Sequence, residues 1–286
     1  MASKFLMAIL FCAPACLPGL AQASIFSGSY QPTFYYDTNI FDQVQIASSA
    51  GNVFITDGAG PNDLNLQMSV DSKTVSVPLV MSGNVATLPQ RSYDLGTATA
   101  LDLILLSDGN NMVLAYVEQQ KAGPVPTPIS FAVSHWQRNP TVASADALIG
   151  NWQATSAYGD PNLRDTNNGF GPDGLSFTIT KTADAFFAFD DNEILPLTVD
   201  GGRASLAAPP VTTALGVKHA FDMIYDNTGL GAVFFVTSEL NDPTDVSVNV
   251  ALVTRTPVPV PATWALFASG LALFALRVRR RVGSTT

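Results

Sequence analysis

Leu175-Ser176-Phe177-Thr178-Ile179-Thr180 alternates apolar and polar side chains, and Val246-Ser247-Val248-Asn249-Val250-Ala251-Leu252 repeats the pattern. Successive side chains of a strand point to opposite faces, so this rhythm predicts strands with one face on a core and the other in water. Between these two stretches lie 185–189, 194–199, 220–225 and 232–237, rich in Phe, Val and Ile. Turn chemistry separates them: Asp190-Asp191-Asn192, Asp200-Gly201-Gly202, Asp226-Asn227-Thr228-Gly229 and Asn241-Asp242-Pro243. The expectation is an antiparallel meander.

Working outward, the same stations recur in the first half. Gly28-Ser29-Tyr30-Gln31-Pro32-Thr33 returns as Gly150-Asn151-Trp152-Gln153-Ala154-Thr155. Pro78-Leu79 with Gly83 and Leu88 returns as Pro196-Leu197 with Gly201 and Leu206. Leu101-Asp102-Leu103-Ile104 returns as Phe221-Asp222-Met223-Ile224, and Arg138-Asn139-Pro140 as Arg255-Thr256-Pro257. A spacing this long rules out a solenoid repeat and predicts a domain duplicated in tandem. The expected organisation is a leader at 1–23, β domains at 24–140 and 141–257, and a tail at 258–286. The fold class is all-β: two antiparallel β-meander domains, each a small barrel or a sandwich, flanked by a signal peptide and a C-terminal transmembrane helix. The segment 142–149 reads as a short connector.

The two ends differ from this body. Lys4, an apolar stretch over 5–11 and the small residues Ala21 and Ala23 read as a signal peptide cleaved before Ser24. Both cysteines, Cys12 and Cys16, fall inside it, so the mature chain is expected to carry no thiol. At the other end stand Val258, Pro259, Val260, Pro261, Ala262, Thr263 and Trp264, an apolar run to Leu276, and the basic stop Arg277, Arg279, Arg280 and Arg281. An apolar segment fenced by arginines is expected to enter the inner membrane, at least transiently, with its charges held in the cytoplasm. This tail resembles the PEP-CTERM sorting signal of Gram-negative bacteria, with Val260 where members usually carry glutamate. The resemblance implies an exosortase-type processing enzyme as partner and delivery to the cell surface or extracellular matrix; it implies nothing about the body.

Between Ser24 and Pro257 nine lysines and arginines face twenty-three acids, a net charge of −14. Such a body repels nucleic acid and anionic lipid. Exopolysaccharide is a candidate partner. Gly150-Asn151-Trp152 also resembles the first strand of lipocalin-like barrels, which implies a Trp plugging one barrel end; Tyr30 stands there in the first copy.

The second copy carries an insertion over 159–171, GDPNLRDTNNGFG, where Asp160, Asp165, Asn167 and Asn168 form a weak candidate cation loop, although their spacing fits no known calcium loop. His135 and His219 read as half-buried strand residues at different stations of the repeat. No nucleophile elbow, phosphate loop or dinucleotide fingerprint is present, and no cofactor is expected. The main expectation is an exported, non-catalytic surface or matrix protein. A tandem lipocalin-like barrel that holds a small ligand is the alternative, and a secreted hydrolase a lesser one.

Overall fold

A strand with one wet face shows a two-residue rhythm, whereas a strand covered on both faces shows an unbroken apolar run. This chain has both kinds, and the computed structural model shows how they are placed. It describes residues 24–39, 44–46, 53–70, 73–90, 92–95, 98–121, 129–140, 142–163, 169–183, 185–190 and 193–256. The expected leader and the whole sorting tail lie outside the described residues. Among the described residues no helix is long and apolar enough to cross a membrane.

The first copy supplies β1 (Gly28–Asn39), β2 (Val44–Ile46), β3 (Val53–Asp57), β4 (Asp63–Val70), β5 (Lys73–Ser82), β6 (Val85–Thr87), β7 (Tyr93–Asp94), β8 (Ala98–Ser107), β9 (Asn111–Gln120) and β10 (Ile129–Gln137). The second supplies β11 (Gly150–Asp160), β12 (Gly171–Pro172), β13 (Ser176–Thr182), β14 (Ala185–Asp190), β15 (Glu193–Asp200), β16 (Arg203–Leu206), β17 (Val211–Thr212), β18 (Val217–Tyr225), β19 (Leu230–Ser238) and β20 (Val246–Thr256). A 3-10 turn at Ala145–Leu148 connects the copies, as the sequence led one to expect of that segment.

Each copy closes on itself. In the first, β1, β3, β4, β5, β6, β8, β9 and β10 pair in that order and β10 returns to β1. In the second, β11, β13, β14, β15, β16, β18, β19 and β20 do the same, with β20 returning to β11. The four remaining short strands pair onto β1, β8, β11 and β18 outside the rings. The result is two tandem eight-stranded antiparallel barrels; of barrel and sandwich, the chain adopts the barrel. Closure removes the sheet edges that would otherwise pair with other chains.

Both interiors are filled. Barrel one packs Tyr30, Leu66, Leu79, Leu103, Leu105 and Trp136 among others. Barrel two packs Trp152 with Phe177, Phe221 and Phe235, three rings in edge contact at 4.9 to 5.9 Å. A third core lies between the barrels. Ile104, Val113, Ala115, Phe131 and Val133 of the first meet Ile224, Phe234, Val236, Val248, Val250 and Leu252 of the second. These residues alternate along their strands with the interior ones, so β8, β9, β18, β19 and β20 are buried on both faces. Val246, Val248 and Val250 of β20 therefore face barrel one and not water or their own barrel's core.

Candidate functional site

Two of the repeated motifs, the opening Gly-x-aromatic and the closing arginine, meet at one barrel end. In each copy the segment before the first strand crosses the barrel mouth, and the arginine at the end of the last long strand gathers its carbonyls. Arg138 Nη2 donates to the carbonyls of Ile25 (3.0 Å) and Ser27 (2.7 Å) and to Tyr30 Oη (2.8 Å). Its guanidinium lies 5.0 Å from the Tyr30 ring centre. Arg255 Nη1 donates to the carbonyls of Ala147 (2.6 Å) and Ile149 (3.4 Å), while Trp152 Nε1 donates to Leu148 O at 2.8 Å. Gly28 and Gly150 begin the strands at φ +146° and +152°, and a Cβ on Gly150 would meet Arg255 Cγ at 2.8 Å. Thr33 and Thr155 sit at matching bulges and donate to the carbonyls of His135 and Leu252, at 3.0 and 3.3 Å. This end is a plug.

The opposite end of barrel two is open on one side. A cleft of about 610 Å³ is lined by Gly159, Pro161, Gly169, Gly171, Pro172, Asp173, Ser247 and Asn249. Ser247 and Asn249 lie on the same face of β20 as Ala251 and Val253, which belong to the barrel's own core. The cleft is thus the polar vestibule above the aromatic filling. Asn249 and Asp173 converge on Gly159: a Cβ there would clash with Asn249 Oδ1 and meet Asp173 Oδ2 at 3.0 Å. Asp173 also lines a neighbouring notch of about 430 Å³ with Gln153, Thr155, Ser156 and Ser176, where β11 bends from β13 toward β12. Hydroxyls, amides and one carboxylate over a bare glycine backbone suit a hydroxyl-rich ligand, whose groups both donate and accept.

The described residues of 159–171 form the rim of this mouth. The segment is not the insertion expected from sequence: β13 starts at 176, 26 residues after β11 at 150, and β3 starts at 53, 25 residues after β1 at 28, while β2 stands in the first copy where β12 stands in the second. Leu163 is 1% exposed in the inter-barrel core, with its N–H on Val246 O at 3.0 Å, and Phe170 packs against the same core. Of the candidate cation loop, Asp165, Asn167 and Asn168 lie outside the described residues. Asp160 is buried and accepts from Asn162 N–H at 3.1 Å. Among the described residues no group of His, Cys, Asp and Glu side chains is arranged to hold a metal ion.

The histidines go to separate places. His135, expected half-buried, is fully buried between the barrels, its Nδ1 3.0 Å from Asp222 Oδ1 and its ring 4.8 Å from that of Phe234. Asp222 in turn accepts from Arg203 Nε at 2.7 Å and Nη2 at 2.6 Å. Burial pushes the His135 pKa down, against the upward pull of Asp222. His219 sits at the bulge of β18 with Nε2 2.8 Å from Ser238 Oγ. Ser238 is 2% exposed, so the contact is buried on the serine side. Glu193, from the acidic run at 190–193, accepts from Leu215 N–H at 3.1 Å and lies 3.2 Å from Lys218 Nζ, which ties down the loop before β18.

Sequence reasoning marked Asp102, Asp222, Arg138 and Arg255 as repeat stations and missed their roles. The signal was present: a charged residue kept inside an apolar strand in both copies needs a partner. The alternation over 246–252 predicts a solvent face for Ser247 and Asn249, which gives no sign that they line a cleft.

No protein-family model matches this chain, and no curated protein matches it. Among solved structures it is similar to a protein of unknown function of the DUF3598 family from Nostoc punctiforme, at 9% identity, covering 81% of this chain and 97% of that one, TM-score 0.39. It is also similar to intact Ap-TbpB, N and C lobes, at 9% identity, covering 77% of this chain and 45% of that one, TM-score 0.35. A transferrin binding protein B variant from Haemophilus parasuis follows at 10% identity, covering 80% and 76%, TM-score 0.21. At these scores the likeness says nothing of function.

Proposed function

We propose that this chain is an exported, non-catalytic binding protein whose ligand sits in the vestibule of barrel two. The observation that carries this reading is the cleft over Gly159, where Asn249, Asp173 and Ser247 converge above an interior already filled by aromatic rings. The alternative expected from sequence, a ligand-binding tandem barrel, is thus taken up with the ligand at the mouth, because Trp152, Phe177, Phe221 and Phe235 pack the core beneath it. The ligand class is a neutral, hydroxyl-rich chain such as an exopolysaccharide. The lining favours hydroxyls, and a body of net charge −14 repels polyanions. The PEP-CTERM-like tail supports export, transient residence in the inner membrane, processing by an exosortase-type enzyme and release to the cell surface or matrix.

The test is isothermal titration of the protein with cellohexaose, maltohexaose and a polyanionic control. Binding of a neutral oligosaccharide that weakens about tenfold in Asn249→Ala, the loss expected for one hydrogen bond to a buried site, supports the proposal. Equal binding of wild type and Asn249→Ala, or binding of the polyanion alone, rejects it. For the tail, exchange of Arg279, Arg280 and Arg281 for Glu is expected to impair membrane retention before processing; unchanged fractionation rejects that part.

A further inference from the structure

The mouth of barrel two is built partly by barrel one. Asp102 lies on β8, yet its Oδ2 accepts the backbone N–H of Phe170 at 2.9 Å, 68 residues further along the chain. Its other oxygen accepts the N–H of Leu103 at 2.8 Å, which fixes the carboxylate's direction. Phe170 stands between Gly169 and Gly171, and both glycines line the vestibule. A Gly-Phe-Gly segment has little conformational preference of its own. Its place is therefore set by what holds Phe170: the carboxylate of Asp102 on its N–H and the inter-barrel core on its ring.

The duplication provides an internal comparison. Asp222 occupies the station of Asp102 in the second copy and also reaches across the interface, to His135 of the first. The first copy's counterpart of the 159–171 segment, between β1 and β3, lies largely outside the described residues; the crossing aspartate there meets the His135 side chain. One inherited carboxylate thus does two jobs: Asp222 holds a histidine between the barrels, and Asp102 holds a backbone N–H at the rim of a cleft.

We infer that Asp102 is a positioning residue for the vestibule, so that the binding site of barrel two is assembled across the barrel interface. This rests on the vestibule being the ligand site. The carboxylate touches no ligand; it acts through the Phe170 backbone.

The experiment is hydrogen–deuterium exchange of the full chain, resolved at the peptide containing Phe170, alongside titration with cellohexaose and maltohexaose. Asp102→Ala is expected to raise exchange at Phe170 about tenfold or more, the effect of losing a charge-assisted hydrogen bond, while amides of β13 to β16 stay as protected as before. Oligosaccharide affinity should fall by a similar factor. Asp102→Asn keeps one acceptor oxygen for two N–H groups and should lie between, which also serves if the alanine variant does not fold. Asn249→Ala should lose affinity with no change in exchange at Phe170. Unchanged exchange in both Asp102 variants overturns the inference, as does raised exchange with wild-type affinity. If the wild type binds neither oligosaccharide, the ligand reading fails instead, and exchange at Phe170 alone decides whether Asp102 positions the rim.

Discussion

Three kinds of residue hold this chain together, and each makes a measurable claim. The first is the arginine at the plug. Arg255 satisfies two carbonyls of the segment over the barrel end, so Arg255→Leu should cost roughly 1.5–3 kcal/mol by urea denaturation with an unchanged slope. The second is the glycine beneath it. Gly150 at φ +152° lies against Arg255, so Gly150→Ala should cost about 1–3 kcal/mol. The third is His135. Its pKa is held below the ordinary value by burial, so on falling pH the unfolded chain takes up the proton first. Its contribution is present above about pH 6.5 and is lost progressively below it. His135→Leu places there the residue that the second copy carries as Leu252. It should flatten the unfolding free energy between about pH 7 and 5 relative to wild type; an unaltered pH slope contradicts the assignment. Gly28, Gly150 and the paired arginines were legible as motif, since identical residues at matched stations stand out. Their purpose was not, because a plug joins the first and last strands of a barrel, as the Thr33 and His135 contact across 102 residues illustrates.

At the level of strands, the sequence carries a distinction that is easy to overlook. Ser176–Thr182 alternates and lies on the outer wall, whereas the runs Leu103-Ile104-Leu105-Leu106 and Val233-Phe234-Phe235-Val236 are apolar throughout and lie in β8 and β19, buried on both faces. An unbroken run in an antiparallel barrel marks the strand that meets another body. The 159–171 segment obeys the same rule: among its described residues Leu163 and Phe170 are the anchors. Leu163→Ala should cost about 2–4 kcal/mol and expose the loop between β11 and β12 to protease. Full stability and an intact loop in that variant would show that the segment does not depend on the inter-barrel core. The loop's legibility was partial. An extra length expected from the motif offsets points to function, but the copies differ here by only one residue between strand starts; the acids point to cations, whereas the structure uses Leu163 and Phe170 for docking and the glycines for the rim.

For the whole molecule, the two barrels meet through equivalent strands, with β8, β9 and β10 against β18, β19 and β20. Two copies joined by the same patch on each resemble a two-fold dimer fused into one chain. A shared core of this kind makes the pair one cooperative unit, so calorimetry should show a single unfolding transition. Ile104→Glu buries an unpaired charge between the barrels and should split that transition in two; two transitions in the wild type would refute the coupling. Sequence by itself determined what is local or repeated: strands from the rhythm of side chains, turns from Asp, Asn and Gly, the duplication from its matched stations, and the acidic body with its distinct ends. Tertiary structure alone decided what depends on distance along the chain. It closed each meander into a barrel, turned Val246, Val248 and Val250 toward the other copy, packed both interiors, and set Asp102 beside Phe170 and His135 beside Asp222. The physical reason is that an apolar side chain records only that it must leave water, a demand without direction, and which surface covers it is settled when the barrels close and pack.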